Sequence, residues 1–535
     1  MHAMTRAAST AVIRAPFQGL ALRFKADSVE LSMADGSRFA TVRSKQAGDH
    51  LYRLTRVIGG HHREDYAGVE VTQATASAPI VGDPKDELIL PMSYLIALGT
   101  FRYKGYSVMS HERPGLRAGP VWNRTCIFCH NTQPYFSTML GALPGARFVY
   151  QGATVDALLP ETKRWRVDVT DQAALDRALE AEVSHFGGRP ESQRLLAQAI
   201  DTTRANFDAS ALIEVGIGCE ACHLGSRAHA TNPDPKSQRT SLVPRAAFLS
   251  VDTKTRTADE LRAASVNHAC ARCHQVLFSH YPYTWEGGDR NGPAPAGGSN
   301  INSGEARDFM LGACSTRADC TACHDPHSPD NSALAKRLEG RDGDAVCTKC
   351  HAKYLGDDAL RTHSHHDPVR EGARCMGCHM PRKNMSLDGK LTRYHRIGAP
   401  TDRDKQKDRP LECALCHVDK SVRTILETME SWYGKKYDWT LPTFLYGSLD
   451  ANVMVATLER GKPHEQAVAL HLLGEARIKD SVQAMARELT NEYPLVRTYA
   501  KAALEKTIGE KSPVDLNTTD DEIRASAADW LKRTP

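Results

Sequence analysis

A mixed fold is predicted for this chain of 535 residues by three observations. The N-terminal stretch alternates apolar and polar residues with period two. The middle is dense in Cys-x-x-Cys-His at short intervals, and the C-terminal stretch carries apolar residues at helical spacing. These patterns divide the chain into a β-rich domain over residues 1–120, a mostly α-helical and irregular core over 121–425, and an all-α region over 426–535.

The β-rich reading starts at Phe17. Val29, Leu31 and Met33 alternate with polar residues ahead of Asp35-Gly36, a turn dipeptide, and β-rich runs recur near Val69–Val71 and Phe101–Tyr106. The segment lacks the cysteine motif, so it reads as a packing or docking module. His61 and His62, beside Gly59-Gly60, read as a surface turn.

The motif itself occurs seven times: Cys126-x-x-Cys129-His130, Cys219-x-x-Cys222-His223, Cys270-x-x-Cys273-His274, Cys320-x-x-Cys323-His324, Cys347-x-x-Cys350-His351, Cys375-x-x-Cys378-His379 and Cys413-x-x-Cys416-His417. This is the attachment signature of c-type haem, in which two thiols add to the porphyrin vinyl groups and the adjacent imidazole is held against the iron. A zinc site calls for paired Cys-x-x-Cys units and gives no reason for His to follow each one. Fourteen of the fifteen cysteines are used in this way, which leaves Cys314. The cofactors expected are seven covalently attached c-type haems.

The first motif follows Val121-Trp122 and is flanked by Phe128, Tyr135 and Phe136, which suit the covering of a porphyrin face. Helical patterns follow at Asp171–Phe186, with Leu175, Leu179, Val183 and Phe186 on one face, and at Glu191–Phe207. They isolate the first haem in sequence. From Gly218 onward the motifs tighten, leaving too little polypeptide to insulate one porphyrin from the next. The segment Tyr281–Glu305, rich in Gly and Pro, reads as a long loop. Beyond His417 the expected helices are one through about Leu458 capped by Asp450, then His464–Glu475, a third around Val482, Met485 and Leu489, and a fourth opened by Pro494. Two successive amphipathic pairs resemble HEAT-type repeats, as cover for the haem core or as a partner surface.

The order Gly218-Cys-Glu-Ala-Cys-His-Leu-Gly-Ser-Arg-Ala-His229, then Cys320-Thr-Ala-Cys-His-Asp-Pro-His327, then Cys375-Met-Gly-Cys-His-Met-Pro381 resembles multihaem c-type cytochromes of the group that includes the tetrahaem cytochromes of ammonia oxidisers. Ile58-Gly-Gly60 and Leu90-Pro-Met-Ser-Tyr94 are similar to a strand-rich segment in that group. This chain departs from the group in its seven motifs and in HEAT-like rather than tetratricopeptide-like repeats.

The distal ligand decides mechanism, because an iron with histidine on both faces transfers electrons and an iron with one open face can bind a small molecule. The resemblance implies that His229 and His327 each ligate a neighbouring haem. Placement alone nominates His280, His363, His366 and His395, with His185 at a helix end as a further candidate. The preferred function is an electron carrier with mostly bis-histidine haems. One alternative is an oxidoreductase for a small nitrogen or sulfur oxyanion at the haem of Cys126 and Cys129, with Arg113, Arg117 and Arg124 upstream; the other is a subunit of a conductive filament or surface complex. Redox partner proteins, other cytochromes or further copies of the chain are the expected partners. The formal charge of +4 omits the haem propionates and does not argue for nucleic acid. Haem attachment of this type places the chain in a periplasm or outside the cell, after removal of an export signal. The most apolar run, Leu88–Leu98, is too short for a membrane span and contains Pro91.

Overall fold

The period-two pattern at the N-terminus folds as one antiparallel sheet of eight strands. They are β1 (Thr5–Ala7), β2 (Leu20–Phe24), β3 (Asp27–Ala34), β4 (Ser37–Ser44), β5 (Gly48–Gly59), β6 (Arg63–Glu70), β7 (Leu88–Leu95) and β8 (Thr100–Tyr103). The computed structural model describes residues 4–104, 115–124, 126–143, 163, 167–224, 229, 231, 242, 246–251, 256–274, 305–328, 330–385, 389–400 and 409–533. By contacts the chain forms two units. One comprises Met1–Tyr106, Arg113–Leu277 and Ser315–Asp319; the other comprises Ser107–Glu112, Phe278–Cys314 and Cys320–Pro535.

In the first unit, strands β2 to β8 pair in sequence order and β1 adds to β5. Such a meander needs only short turns between most neighbours, residues 71–87 forming the one long link, from β6 to β7. Asp35 and Gly36 supply one with φ of 48° and 72°, the left-handed pair that matches strand twist in a two-residue hairpin. Alternation then sorts side chains to two faces. One face buries Val29, Leu31, Val42, Val57, Tyr66 and Met92 in a core of its own. The other carries Ile58, Ala67 and Ile89, which pack against Trp122, Ile127 and Phe128 at the first cysteine motif.

Two helices complete this second core. Gln172–His185 begins at Asp171, whose carboxylate accepts the Ala174 N–H at 2.9 Å, and it buries Leu175, Leu179 and Val183. The next helix runs Leu195–Asn206, four residues later than its apolar pattern suggests. The Gln198 side chain explains the delay, because it accepts the Glu191 N–H at 2.7 Å and donates to the Arg189 carbonyl at 2.6 Å, fixing a turn there instead.

In the second unit, short helices carry the cysteine motifs and longer ones follow them. Helices span Val422–Tyr433, Thr440–Tyr446, Val453–Arg460, Pro463–Glu475, Val482–Arg487, Pro494–Ile508 and Asp520–Arg533. Asn452, not Asp450, caps the third of these, accepting from the N–H groups of Met454 and Val455 at 2.9 and 3.0 Å. Asp450 pairs with Arg423 at 2.7 Å instead. At Gly474 a side chain would put its Cβ 2.6 Å from the Cα of Ala503, so glycine lets the helices Pro463–Glu475 and Pro494–Ile508 approach closely. The helices share one hydrophobic core with Met385, Leu391, Leu411 and Ala414 from the motif-bearing segment. The loop expected at Tyr281–Glu305 lies, but for its last residue, outside the described residues.

Candidate haem-binding sites

Each described motif makes a single tight turn. The N–H of each histidine donates to the carbonyl of the first cysteine in its motif, at 2.8–3.1 Å in six of the motifs. That turn brings two thiols and an imidazole to one side, as attachment of a porphyrin requires.

In the first unit the motifs converge. Asn131 and Thr132, directly after His130, hold the loop that leads into Cys219. Asn131 Oδ1 accepts the Gly216 N–H at 3.0 Å, and Thr132 Oγ1 accepts the Gly218 N–H at 2.7 Å while donating to the Gly216 carbonyl at 2.9 Å. The third motif ends the helix Ala258–Ala271, which a Thr257–Glu260 capping box begins. The Cys129 thiol is pushed well up, first by its hydrogen bond with Cys273, and that bond pulls the Cys273 thiol down to about 6. Once converted to thioethers these sulfurs no longer titrate, so what matters is the proximity the shifts reveal. Cys222 is raised by burial, with Cys273 and Cys270 adding their charge. Phe128 stacks on Phe207, 5.7 Å between ring centres and 11° between planes.

The second unit repeats this pattern along four motifs. Burial raises Cys323, and the charge of Cys347 raises it further. Cys375 is pushed up first by its hydrogen bond with Cys347. Cys378 is raised by burial and by the charge of Cys416. Each motif therefore lies within electrostatic reach of the next.

Histidine geometry tests whether these residues fit haem. An imidazole nitrogen bonds a metal at about 2.0–2.1 Å and sits roughly 1.1 Å from its ring centre, so imidazoles on opposite faces of one iron have centres roughly 6.2–6.4 Å apart. His379 and His363 lie 6.1 Å apart with parallel planes, His324 and His395 lie 6.2 Å apart at 21°, and His417 and His366 lie 6.1 Å apart at 36°. Each pair joins a motif histidine to one from elsewhere in the chain. The His379 Nδ1 meets the Gly398 carbonyl at 3.0 Å, and the His366 Nδ1 meets the Ser364 carbonyl at 2.6 Å. A carbonyl only accepts, so Nδ1 carries the proton and the Nε2 lone pair is left to face a metal.

The segment that supplies two of these partners is built to diverge. The helix Asp357–Ser364 ends at His365, which adopts φ 57° and ψ 24°, so the chain reverses between His363 and His366. Trp432 stacks on His365 at 4.4 Å and 16°, and the Tyr433 hydroxyl donates to the His363 carbonyl at 2.8 Å. Sequence reasoning passed over both aromatics. The available signal was their place at the end of the helix after the last motif, just before Gly434, which caps it in the left-handed conformation.

Other nominated residues fall differently. His185 is exposed at its helix end, edge-on to Phe186 at 4.9 Å. His327 is 77% exposed, its Nδ1 3.9 Å from Asp325. His229 is half-buried, and His280 lies outside the described residues. His351 is exposed and 6.5 Å from the Tyr354 ring. The described residues hold no group of three or more His, Cys, Asp or Glu arranged around a single ion. Among the described residues, no helix is long and apolar enough to cross a membrane.

Comparisons with known proteins agree with the motif chemistry where they reach it. Residues 314–355 match the family described as "Doubled CXXCH motif". A search of curated proteins found no match. Among solved structures, the crystal structure of the outer cell wall cytochrome OcwA aligns over 85% of this chain and 88% of that one, with 14% identity and a TM-score of 0.35. A superposition that loose carries no argument about fold or chemistry. The doubled-motif match and the seven attachment sequences support a multihaem c-type cytochrome with covalently bound haem that takes part in electron transfer.

Proposed function

We propose that the chain is an extracytoplasmic electron carrier with seven c-type haems, most of them ligated by histidine on both faces. The observation that carries this reading is the set of three histidine pairs at 6.1–6.2 Å. His363, His395 and His366 would hold haem iron together with His379, His324 and His417 respectively. A bound haem supplies a one-electron couple. The polypeptide orients the His379 and His366 imidazoles and holds neighbouring motifs together. The same reading assigns residues 1–120 to a haem-free β-rich domain, 121–425 to the haem-bearing stretch, and 426–535 to helical cover. Closeness of the motif cysteines within each unit supports electron passage between successive haems, with redox proteins outside the cytoplasm as donor and acceptor.

Low-temperature EPR of the fully oxidised protein, with haem quantified in the same sample, tests the reading. Expected are seven haems per chain, predominantly low-spin ferric, with no spectral change on adding nitrite or cyanide. A mainly high-spin spectrum would overturn the carrier reading, and one high-spin haem that shifts with an added anion would replace it with an oxyanion-reducing enzyme.

A further inference from the structure

Among the described residues, the sheet presents two cations and one carboxylate to the first motif. In an antiparallel sheet, residues directly opposite share a face. Thr5 pairs with Ile58, Ile58 with Asp65, Asp65 with Ser93 and Ser93 with Arg102, so one row crosses β1, β5, β6, β7 and β8 on a single face. That face meets the first motif: Ile58 packs with Ile127 and Phe128, and the Thr5 hydroxyl donates to the His130 carbonyl at 3.1 Å. Two residues along from members of the row, Arg63 and Lys104 reach the same face. Arg63 pairs with Asp65 at 3.0 Å, and Lys104 pairs with the same carboxylate.

Asp65 is 2% exposed and also accepts from the Ser93 hydroxyl. Burial raises its pKa, but Arg63 and Lys104 outweigh that and hold it far below the usual carboxylate range. Among the described residues, one buried carboxylate thus faces two partly buried cations. The nearby Arg6–Glu64 pair, 3.9 Å apart, is self-compensating. Around the later motifs three buried cations are matched, Arg374 with Asp344, Lys383 with Glu412 and Arg409 with Glu465, while the half-buried Arg393 donates to the carbonyls of Met376 and Met380.

We infer that Arg63 and Lys104 give the haem of Cys126, Cys129 and His130 the highest reduction potential in the chain, making it the haem on which electrons collect. The inference rests on the carrier reading above. Reduction adds one electron and cancels one positive charge, so a fixed cation in a low-dielectric setting favours the reduced state. The β-rich domain then has a function that packing alone would not require: it sets the downhill end of the chain.

Equilibrium redox titration of the holoprotein, followed by visible absorbance, tests this with variants that change the charge in opposite senses. Lys104→Met is expected to lower the highest-potential component alone by at least tenfold in its one-electron equilibrium constant, about 59 mV. Lys104→Arg should leave it in place, and Asp65→Asn should raise it. Should Lys104→Met fail to accumulate with full haem, Arg63→Gln carries the same expectation. The inference is overturned if the charge-removing variant and Asp65→Asn both retain parental haem content and EPR signals yet leave that component unmoved, or if a different component moves. Failure of the carrier reading would look different, because the parent itself would then show predominantly high-spin ferric haem.

Discussion

The Asp344 carboxylate accepts the backbone N–H of Cys375 at 2.9 Å across a separation of 31 residues. Its second oxygen pairs with Arg374, which also donates to the Pro368 carbonyl. Asp344 lies in the helix Arg341–Thr348, which leads into Cys350 and His351, so one buried carboxylate ties the fifth motif to the start of the sixth. Both Asp344 and Arg374 are 7% exposed. Asp344→Ala would leave a buried guanidinium without its carboxylate and should cost about 3–5 kcal/mol. Denaturant unfolding of the haem-loaded protein measures this. The double variant with Arg374→Met should recover much of the loss, and a loss that it fails to relieve would mean that the Cys375 N–H bond dominates.

A second prediction concerns the divergence at His365. If His363 and His366 serve different haems, His363→Ala should convert only the haem of Cys375 and Cys378 to high spin, and His366→Ala only that of Cys413 and Cys416. His365→Ala should convert neither. EPR with haem content by mass distinguishes these outcomes. A single variant that altered two haems would show that the segment acts as one ligand arm.

Parts of this arrangement were legible in the sequence because they are local. Attachment of haem is written in five consecutive residues, and alternation at Val29, Leu31 and Met33 marks a strand with one buried face, although Met33 itself is 45% exposed near the strand's end. Helix faces at Leu175, Leu179 and Val183 follow the same logic. Pairing of histidines is not local. His363 and His366 stand three residues apart, a spacing that on a continuing helix would put them on one face. They separate because His365 takes a left-handed conformation beneath Trp432, a contact between residues far apart in the chain. Arg63 is two residues from Asp65 on one strand, but Lys104, just past the end of β8, reads as an ordinary polar position until sheet register brings it to the same carboxylate.

Trp432 is the third test. It is 41% exposed, so its stack on His365 contributes modestly to global stability, about 0.5–1.5 kcal/mol beyond buried area. Its larger expected effect is local. Trp432→Ala should speed amide hydrogen exchange at His365 and His366 more than at Leu360, which is buried in the same helix. Uniform acceleration along the whole helix would show that Trp432 supports the helix rather than its terminal turn.

The last prediction follows from a histidine outside the motifs. His464, second residue of the helix Pro463–Glu475, is 1% exposed, and neither ring nitrogen has a hydrogen-bond partner among the described residues. Burial lowers its pKa well below 6.5, and the positive charges of Lys462, Lys383 and Arg409 lower it further. Glu465 and Glu412 accompany those cations, Glu465 paired with Arg409 at 3.0 Å and Glu412 with Lys383 at 3.4 Å. The native state therefore resists protonation that the unfolded chain accepts. Wherever the unfolded state binds more protons, stability rises with pH. The contribution is full above pH 6.5 and is lost as pH falls from there toward the depressed folded value, by up to about 1.4 kcal/mol per pH unit. His464→Gln keeps a polar side chain of similar size but cannot titrate, so its unfolding free energy should decline less steeply than the parent's between pH 6.5 and 5. Parallel curves for the two proteins would assign the acid sensitivity to other groups, with His464 then only a packed side chain.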